Sequence, residues 1–405
     1  MRIHPFDALR PRPDLVDRVA AVPYDVVDTR EAAALARNNP YSLLHVSRPE
    51  IDLPEGTDPH ADVVYAKARE NFDRLVGNGA LMREGTPCLY VYRQILGDHA
   101  QRGIVACCHI EDYERNLIRR HEKTRADKED DRTRHVQVLG ANTGPVFLMY
   151  RDQAPIDRII ANVESGIPLY DLTAPDGIRH TVWRVRDIPE LVRKFEAIPL
   201  VYVADGHHRA AAAVRTGVER RKANKGHTGA EEYNWFLAVL FPAAQLRILP
   251  YHRVVKDLNK LSSKAFLEAV RKWFQVTTPA PASPSSPCSV SMYLDGRWHG
   301  LAWKLPEGLD PLASLDVSYL NRNLLEPVMG IRDFRTDPRI DFVGGVRGTK
   351  ALEERVNRGE AAVAFSMYPV TVEQVMGISD AGLTMPPKST WFEPKLRSGL
   401  LIHTL

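Results

Sequence analysis

Apolar and polar positions alternate in short runs along the chain. TREAAALARNN predicts a helix with Thr29 at its N-cap, and YSLLHVSRPE reads as a strand running into a loop. HADVVYAKARENFDRLVGNG has the helical period, with Val63, Val64, Ala66, Phe72 and Leu75 as its apolar positions and Gly77 near its end. CLYVYRQIL and RGIVACCHIEDY are of strand length and are separated by GDHAQ, which predicts a hairpin. GPVFLMYRD is a short apolar segment, IDRIIANVES a helix, and the stretch from TVWRVRD to GVERR reads strand, helix, strand, turn, helix. SVSMYLDGRWHGLAWKL predicts a second hairpin, turned at Asp295-Gly296, a pair suited to a type I′ turn. VTTPAPASPSSPC, rich in Pro and Ser, predicts an exposed loop or linker.

This order favours a mixed α/β (α+β) fold with helices covering a sheet. At 405 residues the chain exceeds the usual size of one core. Three regions are expected: a mixed α/β region over 1–115, a catalytic core over 116–260 and an α/β region over 261–405.

With 44% hydrophobic and 26% charged residues and a formal net charge of +3, global charge argues against a nucleic-acid-coating protein. No segment offers the roughly 18 uninterrupted apolar residues of a membrane helix, and the N-terminus lacks a secretory core, so the expectation is a cytoplasmic protein with no membrane or nucleic-acid partner. Cys88, Cys107, Cys108 and Cys288 show no CxxC pair or zinc-like spacing, and read as small buried hydrophobes.

Two stretches carry candidate chemistry. In VYVADGHHRAAAA the strand ends at Asp205, Gly206 permits a tight turn, and the alanines should be helical, which puts the polar residues at a helix N-terminus. Unpartnered N–H groups and the positive end of the helix dipole favour an anion there. Arg209 offers a fork for phosphate oxygens, His207 or His208 further donors, and Asp205 a partner for a cation, hydroxyl or ammonium. The alternative is that Asp205 caps the helix while the histidines and Arg209 pair locally on a surface turn. Adjacent histidines point roughly 100° apart on a helix, which disfavours a structural zinc held by that pair.

The second stretch, HEKTRADKEDDRTRH, carries five acids and five bases between Glu122 and Arg134, a mixture usual in a solvated helix laced with ion pairs. Its functional reading makes Glu122 a general base, with Lys123, Arg125 and Lys128 as phosphate contacts. Glu122 and Asp205 are 83 residues apart, so only the fold can join them. MPPKSTWFEPKLRSG, containing Lys388, Ser389, Thr390, Lys395 and Arg397, has no Walker pattern and reads either as a structural C-terminal loop or as a lid or phosphate contact.

AVPYDVVD, NPYSLLHVSRPE, HEKTRADKEDDRTR, VYVADGHHR, LPYHRVV and MPPKSTWFEPKLRSGL, in this order, resemble the bacterial and archaeal family known as domain of unknown function 1015. ADGHHR also resembles the phosphate-binding box of the ParB/sulfiredoxin-like superfamily, whose free-serine kinases carry a similar box and an upstream His-Glu. The resemblance implies a ParB/sulfiredoxin-like nucleotide-binding core with added N- and C-terminal α/β regions. It implies a kinase transferring a phosphoryl group from ATP or ADP, with Mg²⁺, to free L-serine. The catalytic residues implied are Glu122, Asp205 and His207; the nucleotide contacts are His121, Lys123, Thr124, Gly206, His208, Arg209, Lys388, Ser389 and Thr390. Tyr24, Asp25, Ser47 and Arg48 are further candidates for substrate contacts. Sulfiredoxin carries a cysteine just before its His-Arg pair, and none stands between Ala204 and Arg209 here. The rival readings are a nucleotide-binding switch and a nucleotide hydrolase without an amino-acid substrate.

Overall fold

The computed structural model describes residues 1–405, with a mixed α/β fold of thirteen α-helices and several sheets. The chain divides into two compact units, 1–246 with 394–405, and 247–393. The expected boundaries at 115/116 and 260/261 do not coincide with this division, because strands from both sides of residue 115 share one sheet and the last twelve residues return to the first unit.

The first unit is organised by a nine-stranded mixed sheet. Its strands are β1 (Ile3–His4), β2 (Tyr90–Leu96), β3 (His99–His109), β4 (Ile118–Arg119), β5 (Val146–Tyr150), β6 (Tyr170–Thr173), β7 (Arg179–Arg184), β8 (Val201–Asp205) and β9 (Trp235–Pro242). The order is β4-β8-β5-β9-β3-β2-β7-β6, with β1 on β3. β8 runs parallel to β4 and antiparallel to β5, and β5 runs parallel to β9. The expected hairpin is β2-β3, closed between Leu96 and His99 and turned at Gly97, whose φ is 59°.

Helices α1 (Asp62–Gly77), α2 (Ala126–Leu139), α3 (Ala154–Glu164), α4 (Ile188–Glu196) and α5 (His207–Ala223) belong to this unit. One core cluster joins Ile104, Val146, Leu148, Val203, Phe236 and Leu240 of the sheet to Ala210, Ala213 and Val214 of α5 and Leu191 and Phe195 of α4. A second joins the N-terminal segments, including Leu43, Leu44 and Val46, to Phe72 and Leu75 of α1. YSLLHVSRPE is therefore not a strand: Leu44–Ser47 is a short helix and Pro49–Asp52 a 3-10 turn. Its apolar run carries no decisive period, and packing against α1 selects the helical form. The preceding helix is Thr29–Ala36, but its N-cap is Asp28, which forms a capping box with Glu31, and Thr29 is its first helical residue.

The tail 394–405 threads through this unit. Ala21 and Ser398 form a bridge, the Gly399 N–H donates to the Thr143 carbonyl at 2.9 Å, and His403 pairs in register with Asn142.

The second unit is built on a six-stranded antiparallel sheet of β10 (Tyr251–Val255), β11 (Gln275–Thr277), β12 (Ser289–Leu294), β13 (Arg297–Ala302), β14 (Ile340–Gly344) and β15 (Val363–Met367). The Pro- and Ser-rich stretch connects β11 to β12. The β12-β13 hairpin turns at Asp295 and Gly296, with φ of 48° and 75°, the doubly positive pair that a type I′ turn needs. Cys88, Cys107 and Cys108 are buried free thiols, and Cys288 is partly buried. No helix is long and apolar enough to cross a membrane.

Gly217 shows how closely α5 is packed. A Cβ there would stand 2.3 Å from the Tyr233 carbonyl oxygen and 2.9 Å from Ile110 Cδ1. Gly217→Ala should lower unfolding free energy by about 1–3 kcal/mol despite alanine's better helix propensity, read as a lower urea midpoint.

Candidate active site

β8 delivers Asp205 to the edge of α5, and Gly206 makes the turn with a φ of 88°, in the left-handed region that favours glycine. The first intrahelical bond runs from the Ala210 N–H to the Gly206 carbonyl, and no side chain caps the helix. Asp205 is thus not the cap. Its Oδ2 accepts from Arg209 Nη2 at 2.6 Å and its Oδ1 from Lys395 Nζ at 2.9 Å. Despite burial, which pushes a carboxyl upward, these two cations hold Asp205 well below the usual carboxylate range.

The surface-turn alternative fails as well, since His207 is 5% exposed and the Arg209 side chain 10%. Arg209 also donates to the Pro145 carbonyl and lies 3.9 Å from Asp25. Two nitrogens of its fork therefore hold the box together. His208 Nε2 accepts the Arg125 N–H at 3.1 Å and ties the HEKT loop to the start of α5. The same nitrogen is not available to donate to an anion.

HEKT itself precedes α2. His121, Glu122 and His207 offer ligand atoms that all lie within 4.8 Å of one another, with the two histidines buried and the carboxylate half-buried. The imidazoles meet edge to face at 4.5 Å. His121 bonds to the Val203 carbonyl, and burial holds it down to about 4; burial lowers His207 further below its ordinary value. Both rings are neutral at neutral pH. Buried His207 Nε2 has no hydrogen-bond partner, a condition that costs free energy and that a bound group would relieve.

Two imidazole nitrogens and one carboxylate suit zinc or another transition-metal ion, whereas Mg²⁺ prefers oxygen ligands. The cluster therefore does not fit Mg²⁺. Lys123 is exposed, and Thr124 Oγ1 donates to Glu129 Oε2 at 2.8 Å, a bond made within the first turn of α2. Along α2 the ion pairs Arg125–Asp127 and Arg134–Asp62 face solvent, while Asp131, Thr133 and His135 are buried.

Beside Arg209 lies a cleft lined among others by Tyr24, Ser47, Arg132, His135, Gly144 and Ser398. Arg132 sits over the Tyr24 ring at 4.2 Å. Buried Ser47 Oγ and Arg209 Nε have no hydrogen-bond partner. The fold thus brings three N-terminal candidates, Tyr24, Asp25 and Ser47, to Arg209. Arg48 turns elsewhere, donating to the Val27 carbonyl and pairing with Glu50 at 3.3 Å.

Lys388, Ser389 and Thr390 belong to the second unit, where Ser389 Oγ donates to the Pro386 carbonyl and Lys388 lies over the Tyr251 ring. From the same C-terminal motif it is Lys395 that reaches the box, and Ser398 that reaches the cleft. A Cβ on Gly144 would meet Ser398 Oγ at 2.7 Å, so a side chain there would displace the Ser398 hydroxyl where the tail passes. A lysine directly after Pro394 offers no local signal of a partner 190 residues away.

A family model described as protein of unknown function (DUF1015) matches residues 3–318. A conserved hypothetical protein from Pyrococcus furiosus is similar in structure at 12% identity and a TM-score of 0.37, covering 73% of this chain and 94% of its own. A free serine kinase in complex with AMP is similar at 13% identity and a TM-score of 0.38, covering 73% and 91%. SbnI with a C-terminal truncation, from Staphylococcus aureus, is similar at 10% identity and a TM-score of 0.37, covering 74% and 87%. No curated protein matches the chain in sequence.

His135, on the cleft wall, bonds to the Val46 carbonyl at 2.8 Å, and burial holds it down to about 4 against an ordinary 6.5. Between those values the unfolded chain takes up a proton that the folded chain refuses. Stability should therefore fall as pH drops from 6.5 towards 4, by about 3 kcal/mol for one such histidine. Urea titrations should show a shallower fall for His135→Gln.

Proposed function

The chain belongs to the DUF1015 family of proteins of unknown function, and for it we propose a phosphotransferase that moves a phosphoryl group from ATP or ADP to the hydroxyl of free L-serine. The observation that carries this reading is the convergence of Glu122 with buried His121 and His207 at the uncapped N-terminus of α5.

The helix end supplies N–H donors and a positive dipole for phosphate oxygens. Asp205, a carboxylate that would repel them, is neutralised by Arg209 and Lys395. In-line transfer to a hydroxyl needs mainly positioning, charge neutralisation and a base. Glu122 takes the serine Oγ proton as the Oγ–P bond forms. The bond from phosphorus to the bridging oxygen breaks, and ADP leaves when ATP is the donor, or AMP when ADP is. His207 Nε2, the ring nitrogen without a partner, adjoins Glu122 and orients it or the phosphoryl group. Mg²⁺ would be held mainly by the nucleotide phosphates and not by the His121, Glu122 and His207 cluster, and would supply charge neutralisation there. Serine as acceptor rests on the resemblance of the His-Glu and ADGHHR motifs to those of free-serine kinases, as does the ParB/sulfiredoxin-like ancestry of the core.

Mass-spectrometric product analysis tests this with purified chain, Mg²⁺, ATP, ADP or CTP, and a pool of free amino acids. Phosphoserine should form, and Glu122→Gln should reduce its rate by roughly 10²–10⁴-fold while nucleotide affinity stays near wild type. Nucleotide consumed equally with and without serine, with no phosphorylated amino acid, would replace the kinase by a hydrolase.

A further inference from the structure

The second unit holds a separate pair of uncompensated charges. Arg253 stands in the middle of β10, between β14 and β15, and is 3% exposed. Its guanidinium donates only to backbone carbonyls, those of Tyr251 and, at 3.2 Å, Lys388, and it lies 5.6 Å from the Phe342 ring. No carboxylate pairs with it. Asp316, on the other wall, accepts the Cys288 N–H at 2.9 Å and pairs with no cation. Both residues line one pocket and do not pair with each other; Tyr368, Gln374 and Ser389 complete its polar lining.

A buried charge without a counter-ion is costly, and natural folds retain one where something compensates it. The effect is visible on both groups: burial lifts the Asp316 carboxyl to about 6 and lowers Arg253 to about 9. A single small molecule carrying a carboxylate and an ammonium would compensate both at once. The carboxylate matches the planar guanidinium fork, and the ammonium matches the free oxygen of Asp316.

We propose that this cavity binds a free α-amino acid as its zwitterion, between Arg253 and Asp316, at a site separate from the one built around Glu122. The site does no chemistry. It lies in a different unit from Glu122, so it provides for sensing or retention of an amino acid, and it does not depend on the kinase reading.

Isothermal titration of the full chain with the free amino acids, each compared with its N-acetyl and carboxamide derivatives, tests this. At least one free amino acid should bind, and both derivatives should bind far more weakly. Arg253→Met and the isosteric Asp316→Asn should each weaken binding by roughly 10-fold or more, as loss of one partner of a buried charge contact does, while Glu122→Gln leaves it unchanged. Should Arg253→Met fail to fold, Asp316→Asn and the derivative series still decide. The proposal is overturned if no free amino acid binds, if the N-acetyl form binds as well as the free one, or if Asp316→Asn binds normally. Loss of binding in Glu122→Gln alone would also overturn it, by placing the amino acid at the other site. Phosphoserine formation is measured independently of these titrations, so either reading can fail without the other.

Discussion

The carboxylate of Asp205 is the point on which the first unit's site depends. It ends a central strand, and its two oxygens are taken by Arg209, one turn into α5, and by Lys395, from the returning tail. The end of a strand, the first turn of the helix that follows it and a tail 190 residues further on are joined at one carboxylate, and the helix N-terminus is left uncapped beside it. A buried carboxylate with either cation removed would carry an unpaid desolvation cost, so the arrangement is held as a unit. The same contact explains why the C-terminal residues belong to the first unit: the tail carries the lysine that Asp205 requires.

Around this hub the polar groups divide into those that hold the fold and those that face the site. Arg209 and Arg48 spend their terminal nitrogens on carbonyls or carboxylates, and His208 and Thr124 bond to a backbone N–H and a carboxylate. His207 Nε2 and Ser47 Oγ do not, although both are buried. Native proteins leave few such atoms, and where they border a cluster of chemically capable side chains or a cleft they mark the place a ligand is to be sought.

The second unit uses its sheet differently. Strand pairing around β10 places Arg253 where neither face offers it an acid, and the segment before β12 places Cys288 so that its N–H meets one oxygen of Asp316 and leaves the other. The first unit neutralises its buried charges internally, and the second leaves a matched pair apart. That contrast makes the second cavity a recognition site by its electrostatics alone.

Features governed by nearest neighbours were legible along the chain. The Asp295-Gly296 turn follows from φ preferences of two residues, the helix over Asp62–Gly77 from its repeating apolar face, and the strand-turn-helix at Asp205 to Ala213 from a glycine between two good formers. The six family motifs and the pairing of His-Glu with ADGHHR were legible through resemblance to known families, and the anion-binding chemistry of the box followed from residue type. Tertiary structure alone decided that Leu44–Ser47 is helical, since an apolar run of that length satisfies either period until α1 packs against it. It alone decided that Lys395 reaches Asp205, that Arg209 bonds to Asp205 and Pro145, and that Glu122 meets His207. Those outcomes depend on which strands pair in a mixed sheet, and charge pairing at a separation of 190 residues leaves no periodic trace in the sequence that produces it.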